Sequence, residues 1–237
     1  MTIAALEWVR QSPLTGVLLT LLSYRVALVF SRRYHGHPLV NTVLLGATFV
    51  VLTLLALGMN FEQYQRGAGF IQFLLGPVTV ALAIPLYNNL SRLRRNAAAI
   101  LCSILIGSIA GVVTAVLCGQ LFGLPHKVLL SLAPRSVTTP IAMGVADVLG
   151  GIPALAATFV IVTGIIGAVF ARPLARLFGI KDDITLGIAT GVAAHGIGTA
   201  RVFQLSETAG AFAGLAMGVT GLFTALLAPV LVHYLLP

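Results

Sequence analysis

Acidic side chains are scarce in this sequence: six Asp and Glu stand among 237 residues, against fourteen Lys and Arg. Charged residues make up 8% of the chain, where soluble domains carry about 25%. That excludes a soluble fold with a solvated shell. No two carboxylates fall together inside an apolar run, which leaves out a proton or sodium relay of the carboxylate kind. Phosphate-binding loops, Ser/His/Asp arrangements and metal-ligand spacings are missing too. The sequence therefore reads as a non-enzyme with no cofactor and no metal. Its two cysteines, Cys102 and Cys118, share one apolar run. On a helix their spacing amounts to ~24 Å, too far for a disulfide, and no histidine or carboxylate stands beside them to complete a metal site. The N-terminus "MTIAALEWVRQS" lacks a basic region followed by a cleavable apolar core, so no removable signal peptide is expected.

What fills the chain is apolar, 58% of it. Runs near the ~20 residues needed to cross hydrocarbon recur at 14–30, 38–58, 69–89, 96–122, 152–171 and 209–236. Two further segments, 128–149 and 184–205, are long enough to cross but hold too many helix breakers. The expected fold is an all-α polytopic membrane protein in the lipid bilayer, with about six full spans plus two re-entrant or broken-helix segments. A net charge of +8 in a soluble protein would point to nucleic acid. Here the basic residues sit in short loops between spans, the pattern of orientation signals, and no nucleic-acid face is formed.

Those signals constrain the topology. The basic clusters are Arg32/Arg33, Arg92/Arg94/Arg95 and Arg172/Arg176/Lys181. If all three face one side, an even number of crossings separates each pair. Three apolar segments lie between the second and third clusters. Making 128–149 a re-entrant hairpin restores the even count, and a broken spanning helix is the competing reading. An internal repeat adds to this. Sliding the chain by 56 residues lays "LFG" at 121–123 on "LFG" at 177–179, with eleven identities between 98 and 145. It also lays "SVTTPIA" on "VAAHGIG". One crossing plus one hairpin per unit inverts adjacent copies, the inverted-repeat construction of many secondary transporters. The chain then divides into 1–95, N-terminal helices for scaffold and oligomerisation, and 96–237, an inverted-repeat core.

The breakers cluster with polar groups. In "APRSVTTPIAMG", Pro134 and Pro140 flank Ser136, Thr138 and Thr139, with Arg135 beside them. In "AAHGIGTAR", His195 is followed by Gly196, Gly198, Thr199 and Arg201. Irregular backbone at membrane depth is tolerated only where protein buries it or water reaches it. Hydroxyls, loosened amides, an imidazole and two guanidiniums are the groups that hold a small carboxylate anion. The alternative for His195 is a bond to a neighbouring helix, and for Arg135 and Arg201 a place at the membrane surface. Small residues at Ser103/Gly107/Gly111/Ala115 and Gly210/Gly214/Gly218 read as helix-packing ridges, from which a homodimer is expected.

The stretches "PRSVTTPIA", "GGIPALAATFVIVTGIIGA", "AAHGIGTAR" and "GAFAGLAMGVTGLFTALLAP" resemble the LrgB/CidB family closely from about Leu130 to Pro229, and "GPVTVALAIPLY" extends the similarity upstream. The resemblance implies a multi-pass protein of a bacterial inner membrane, often paired with a small membrane protein of the LrgA/CidA type. Such proteins have been called antiholin-like regulators of murein hydrolase activity and lysis. A similar domain occurs in the plastidial glycolate/glycerate translocator, and some bacterial pairs are linked to pyruvate uptake. The resemblance thus implies a small monocarboxylate as solute. Of two functions, the sequence favours a transporter of small monocarboxylates with a central anion site between the two broken hairpins. A packing regulator has no need of such segments at mid-depth. The alternative is an antiholin-like regulator.

Overall fold

The computed structural model describes residues 7–8, 10–34, 40, 42–81 and 83–236. These residues form ten helices and no strand. Contacts divide the chain into two compact units, 1–81 and 82–237.

The first unit holds α1 (Pro13–Arg33), α2 (Thr42–Leu57) and α3 (Phe61–Ala81). Pro13 opens α1, where a missing N–H costs nothing, and Arg32 and Arg33 end it, where cations suit the dipole. Helix α1 packs on both others. Its crossing with α3 is set by two glycines: a Cβ on Gly67 would strike the Pro13 carbonyl, and one on Gly16 the Tyr64 carbonyl. The hydroxyls of Thr20 and Tyr64 meet there at 2.9 Å. Arg10 Nε donates to the Leu57 carbonyl at 2.6 Å, capping the end of α2.

This part departs from expectation. Residues 38, 39 and 41 of the expected span 38–58 lie outside the described residues. The helix that is described, α2, has 16 residues, ~24 Å of rise against ~30 Å of hydrocarbon. The expected span 69–89 is divided between α3 and α4. The reason is local. Asn60 and Gln63 form a reciprocal capping box, each side-chain oxygen accepting from the other's amide at 2.9 and 2.8 Å. That box starts α3 at Phe61, well before the apolar run. Among the described residues four helices are long and apolar enough to cross a membrane: α1 here, and α5, α8 and α10 in the second unit.

The second unit comprises α4 (Ala83–Asn88), α5 (Leu90–Leu121), α6 (His126–Leu132), α7 (Thr139–Val148), α8 (Pro153–Leu177), α9 (Asp183–Phe203) and α10 (Glu207–Leu235). Helices α5 and α10 run parallel. Ile100 and Ile104 cluster with Phe212 and Ala216 near their starts, and Val112 and Val116 with Ala228 and Val232 near their ends. Gln120 Nε2 donates to the Leu235 carbonyl at 3.0 Å where both finish. Helix α8 runs the other way.

The internal repeat is visible in how its two crossing helices stop. Helix α5 ends at Phe122 (φ −87°, ψ 6°) and α8 at Phe178 (φ −88°, ψ 7°). Each is followed by a glycine in the left-handed region, Gly123 at φ 66° and Gly179 at φ 67°. The paired bonds Gly123 N–H to Gln120 O and Leu124 N–H to Gly119 O, at 2.9 and 3.0 Å, recur as Gly179 N–H to Arg176 O and Ile180 N–H to Ala175 O, at 3.1 and 2.7 Å. Both "LFG" triplets thus encode the same C-terminal lock.

Helix α10 packs on α9 at backbone distance. A Cβ on Gly187 would strike the Ala209 carbonyl, and one on Gly191 the Ala213 carbonyl, whereas one on Gly218 meets nothing within 4 Å. Overpacking at a rigid backbone costs about 1–3 kcal/mol. Gly191→Ala is therefore expected to lower the melting temperature of the detergent-solubilised protein clearly, and Gly218→Ala to leave it unchanged. Equal melting curves for the two variants would contradict the α9–α10 contact.

Candidate functional site

Both broken segments are hairpins that enter the second unit and return. In the first, α6 ends at Leu132, residues 133–138 turn without helix, and α7 leads back. Turn bonds from Arg135 N–H to Leu132 O and from Val137 N–H to Pro134 O, at 3.1 and 3.3 Å, satisfy part of this stretch. Thr138 stands before α7 in extended backbone (φ −68°, ψ 151°), and Pro140 follows in the first turn. The return is shown at the mouth. Ser131 Oγ accepts from Ile152 N–H at 2.7 Å, so the start of α8 lies beside α6. Helix α7 packs antiparallel on α8 through Val137, Ala142, Ala146, Ala156 and Val160.

In the second hairpin, α9 is continuous only by its hydrogen bonds. His195 has φ 39° and ψ −136°, non-helical values between two helical arms. In an unbroken helix residues eight apart are separated by ~12 Å. Here a Cβ on Gly198 would lie 2.8 Å from the Thr190 methyl, so the chain has doubled back. At the mouth Ser206 Oγ donates to Asp183 Oδ2 at 2.6 Å, tying entry to exit. Asp182 caps the first arm by accepting from Thr185 N–H and Oγ1, each at 2.8 Å. Its partial burial pushes the carboxyl upward, but the Thr185 amide and hydroxyl, the Ile184 amide and the charge of Arg92 outweigh that and hold it below the usual aspartate value.

The mouths face opposite ways. The first hairpin opens at the end of α5, and the second beside Asp182, within reach of Arg92 at the start of α5. With two crossings, α5 and α8, and one returning hairpin between them, Arg92/Arg94/Arg95 and Arg172/Arg176/Lys181 share a face, in accord with the charge count. The arm Asp183–Ala194 rises ~18 Å, past half of a ~30 Å hydrocarbon layer.

Glycines on the crossing helices receive the two turns. On α5, a Cβ at Gly107 would lie 2.8 Å from Val192 of the second hairpin, and one at Gly111 3.2 Å from Ser136 Oγ of the first. On α8, Gly164 makes room for the His195 imidazole and Gly167 for Ala194. On α10, Gly221 faces Ile141 and Met217 faces Gly196. Between α5, the first turn and the first arm of α9 lies a cavity of about 440 Å³. Arg135 and Ser136 line it from the first hairpin, Ser103, Gly107 and Gly111 from α5, and Thr185, Ile188, Ala189, Val192 and Ala193 from α9. The Arg135 guanidinium is half-buried there, with no hydrogen bond and no carboxylate at ion-pair distance among the described residues.

The structure brings Arg135 and Ser136 to this cavity and places the other expected site residues elsewhere. Thr138 and Thr139 lead into α7, and neither lines it. His195 is 3% exposed and its Nε2–H donates to the Val160 carbonyl at 2.9 Å, the neighbouring-helix alternative. Gly196 lies 3.7 Å from the Met217 sulfur at its would-be Cβ, and Gly198 packs on Thr190 and Ala194. Thr199 Oγ1 donates to the His195 carbonyl at 2.7 Å. Arg201, at the base of the returning arm, donates to Gln204 Oε1 at 3.4 Å. No group of three metal-ligating side chains occurs among the described residues. Sequence reasoning missed the α5 and α9 walls. The signal is the Ser103/Gly107/Gly111 spacing, a helix-packing ridge whose close contacts are with the two hairpins, Val192 at Gly107 and Ser136 at Gly111.

A multi-pass membrane protein with two opposed re-entrant hairpins converging on one cavity is the class these features define. The chain belongs to the LrgB-like family, whose model matches residues 20–234. It is 36% identical to the uncharacterized protein YwbG of Bacillus subtilis over 93% of this chain and 99% of that one. To the holin-like protein CidB it is 32% identical in Staphylococcus epidermidis and 31% in Staphylococcus aureus, over 91% of this chain and 94% of each relative. No solved structure matches it.

His195 gives the sharpest test of the local geometry. A non-glycine residue at positive φ is strained by roughly 1–2 kcal/mol, and a lost bond to a buried carbonyl costs about 1–3 kcal/mol. His195→Ala loses the bond and keeps the strain, while His195→Gly loses the bond and relieves it. Thermal melts are expected to rank wild type above His195→Gly, and His195→Gly above His195→Ala. Unchanged melting with abolished solute uptake would instead make the imidazole a solute ligand.

Proposed function

We propose that this chain is a holin-like inner-membrane protein of the CidB type, which sets murein hydrolase activity and lysis with a small partner of the LrgA/CidA type. The similarity to two CidB proteins over nearly the whole chain supports this reading. Self-association as a homodimer belongs to the same proposal, with the open face of α10 at Gly218 available for it.

A second reading is favoured by the cavity: transport of a small monocarboxylate of the glycolate, glycerate or pyruvate class. The supporting observation is the guanidinium of Arg135, without a hydrogen-bond or ion-pair partner among the described residues, in a space of about 440 Å³ that Ser136 also lines. A cation held at that depth without a counter-ion is costly, and a carboxylate accepting from it would offset the cost. The hydroxyls of Thr138, Thr139 and Thr199, with the loosened backbone at Gly196 and Gly198, would adjust the hairpins around the solute. His195 would hold the second turn, and Arg201 would stand at its base. The two readings do not exclude each other.

Uptake of labelled pyruvate, glycolate and glycerate into proteoliposomes containing this chain alone separates them. The carrier reading expects saturable uptake, reduced about 10–100-fold by Arg135→Gln, the equivalent of ~1.5–3 kcal/mol for a bond to a charged group. Arg135→Lys is expected to keep part of it. Uptake that appears only with an added small partner would move the assignment to a two-component, holin-like assembly.

A further inference from the structure

The cavity has a direction. On α5 it is bounded by Ser103, Gly107 and Gly111, and by nothing beyond them toward the end of the helix. On α9 it begins at Thr185, next to the hairpin mouth, and reaches Ala193 beside the turn. Arg135 and Ser136 close its far end. Beyond them Val112, Val116, Leu130, Val145, Ala228 and Val232 form a continuous apolar seal. The space therefore runs from the face of the arginine clusters to mid-depth and stops.

The repeat supplies a comparison within the same molecule. The 56-residue shift carries Gly107 onto Thr163, Gly111 onto Gly167 and Ser136 onto Val192. The seam along α5 borders the cavity, with Gly107 and Gly111 touching Val192 and Ser136 at its wall, while no α8 residue lines that cavity and the counterpart seam along α8 is filled. Gly167 is pressed against Ala194, Gly164 against the imidazole, the His195–Val160 bond is 2.9 Å, and Val137 packs on Val160. Two copies of one unit thus hold two different packings. In inverted repeats, exchanging those packings moves the opening to the other side of the membrane.

We propose that this structure is the conformation open to the face bearing Arg92 and Lys181, and that an alternate conformation opens the α8 seam to the face bearing Lys127. The inference rests on the reading of the cavity as the solute site, and its test does not depend on uptake. In a Cys102→Ser, Cys118→Ser background, single cysteines are labelled with a membrane-impermeant maleimide in vesicles of either orientation. Lys181→Cys and Lys127→Cys report the two faces. Ala189→Cys and, as a second position, Ser103→Cys are expected to label from the Lys181 side and not from the Lys127 side. Thr163→Cys, on the filled seam, is expected to label slowly and from the Lys127 side alone. Labelling of Ala189→Cys and Ser103→Cys from the Lys127 side, or from neither side while the reporters react, would overturn the assignment. Labelling of Thr163→Cys from the Lys181 side, or not at all, would overturn the alternate state. The expected labelling without uptake would sink the carrier reading and leave the one-sided opening standing.

Discussion

Backbone that leaves the helix inside hydrocarbon must find partners within the protein, because lipid offers none. Everything distinctive in the second unit follows from meeting that condition twice. The two turns, at 133–138 and at His195, are buried against α5, α8 and α10. Glycines on all three helices give the space: Gly107 and Gly111, Gly164 and Gly167, Gly221. Residual donors are tied locally. Ser131 holds Ile152 N–H, Thr199 Oγ1 back-bonds to the His195 carbonyl, and the imidazole reaches Val160. In the second unit one buried hydroxyl, Thr220 Oγ1 on α10, is left without a partner among the described residues.

Breaking two helices at mid-depth creates something a plain bundle lacks. Where Ser136 and Val192 lean on α5 a space of about 440 Å³ remains beside them. Arg135 lines that space from the segment between Pro134 and Pro140. The arrangement belongs to a chain of the LrgB-like family, two relatives of which are named holin-like.

Much of this was legible in the sequence. Charge placement favoured a hairpin at 128–149 over a broken spanning helix, because a returning segment lets Arg92–Arg95 and Arg172–Lys181 share a face. The repeated "LFG" announced two equivalent helix ends, and the structure gives them matching dihedrals and bonds. The composition of "AAHGIGTAR" marked the second break to within a residue or two. What sequence reasoning could not assign was which polar groups face the cavity and which face a neighbouring helix. A hydroxyl or imidazole near a turn has the same spelling in either case. His195 and Thr199 were spent on holding the turn, while Thr185 and Ser103, unremarkable in sequence, became walls. In the first unit the Asn60–Gln63 box shifted α3 toward the N-terminus, a short-range hydrogen-bond effect that hydropathy does not register.

The central claim is that segment 126–149 comes back to the face it left. Nitroxide labels at Lys127 and Asp147, both exposed, read this directly by dipolar spectroscopy in reconstituted protein. A returning hairpin places both labels at one mouth, so the measured distance should fall well below the ~30 Å thickness of the hydrocarbon layer. A distribution centred at or beyond that thickness would mean that the segment spans the membrane, and the opposed-hairpin architecture would be wrong.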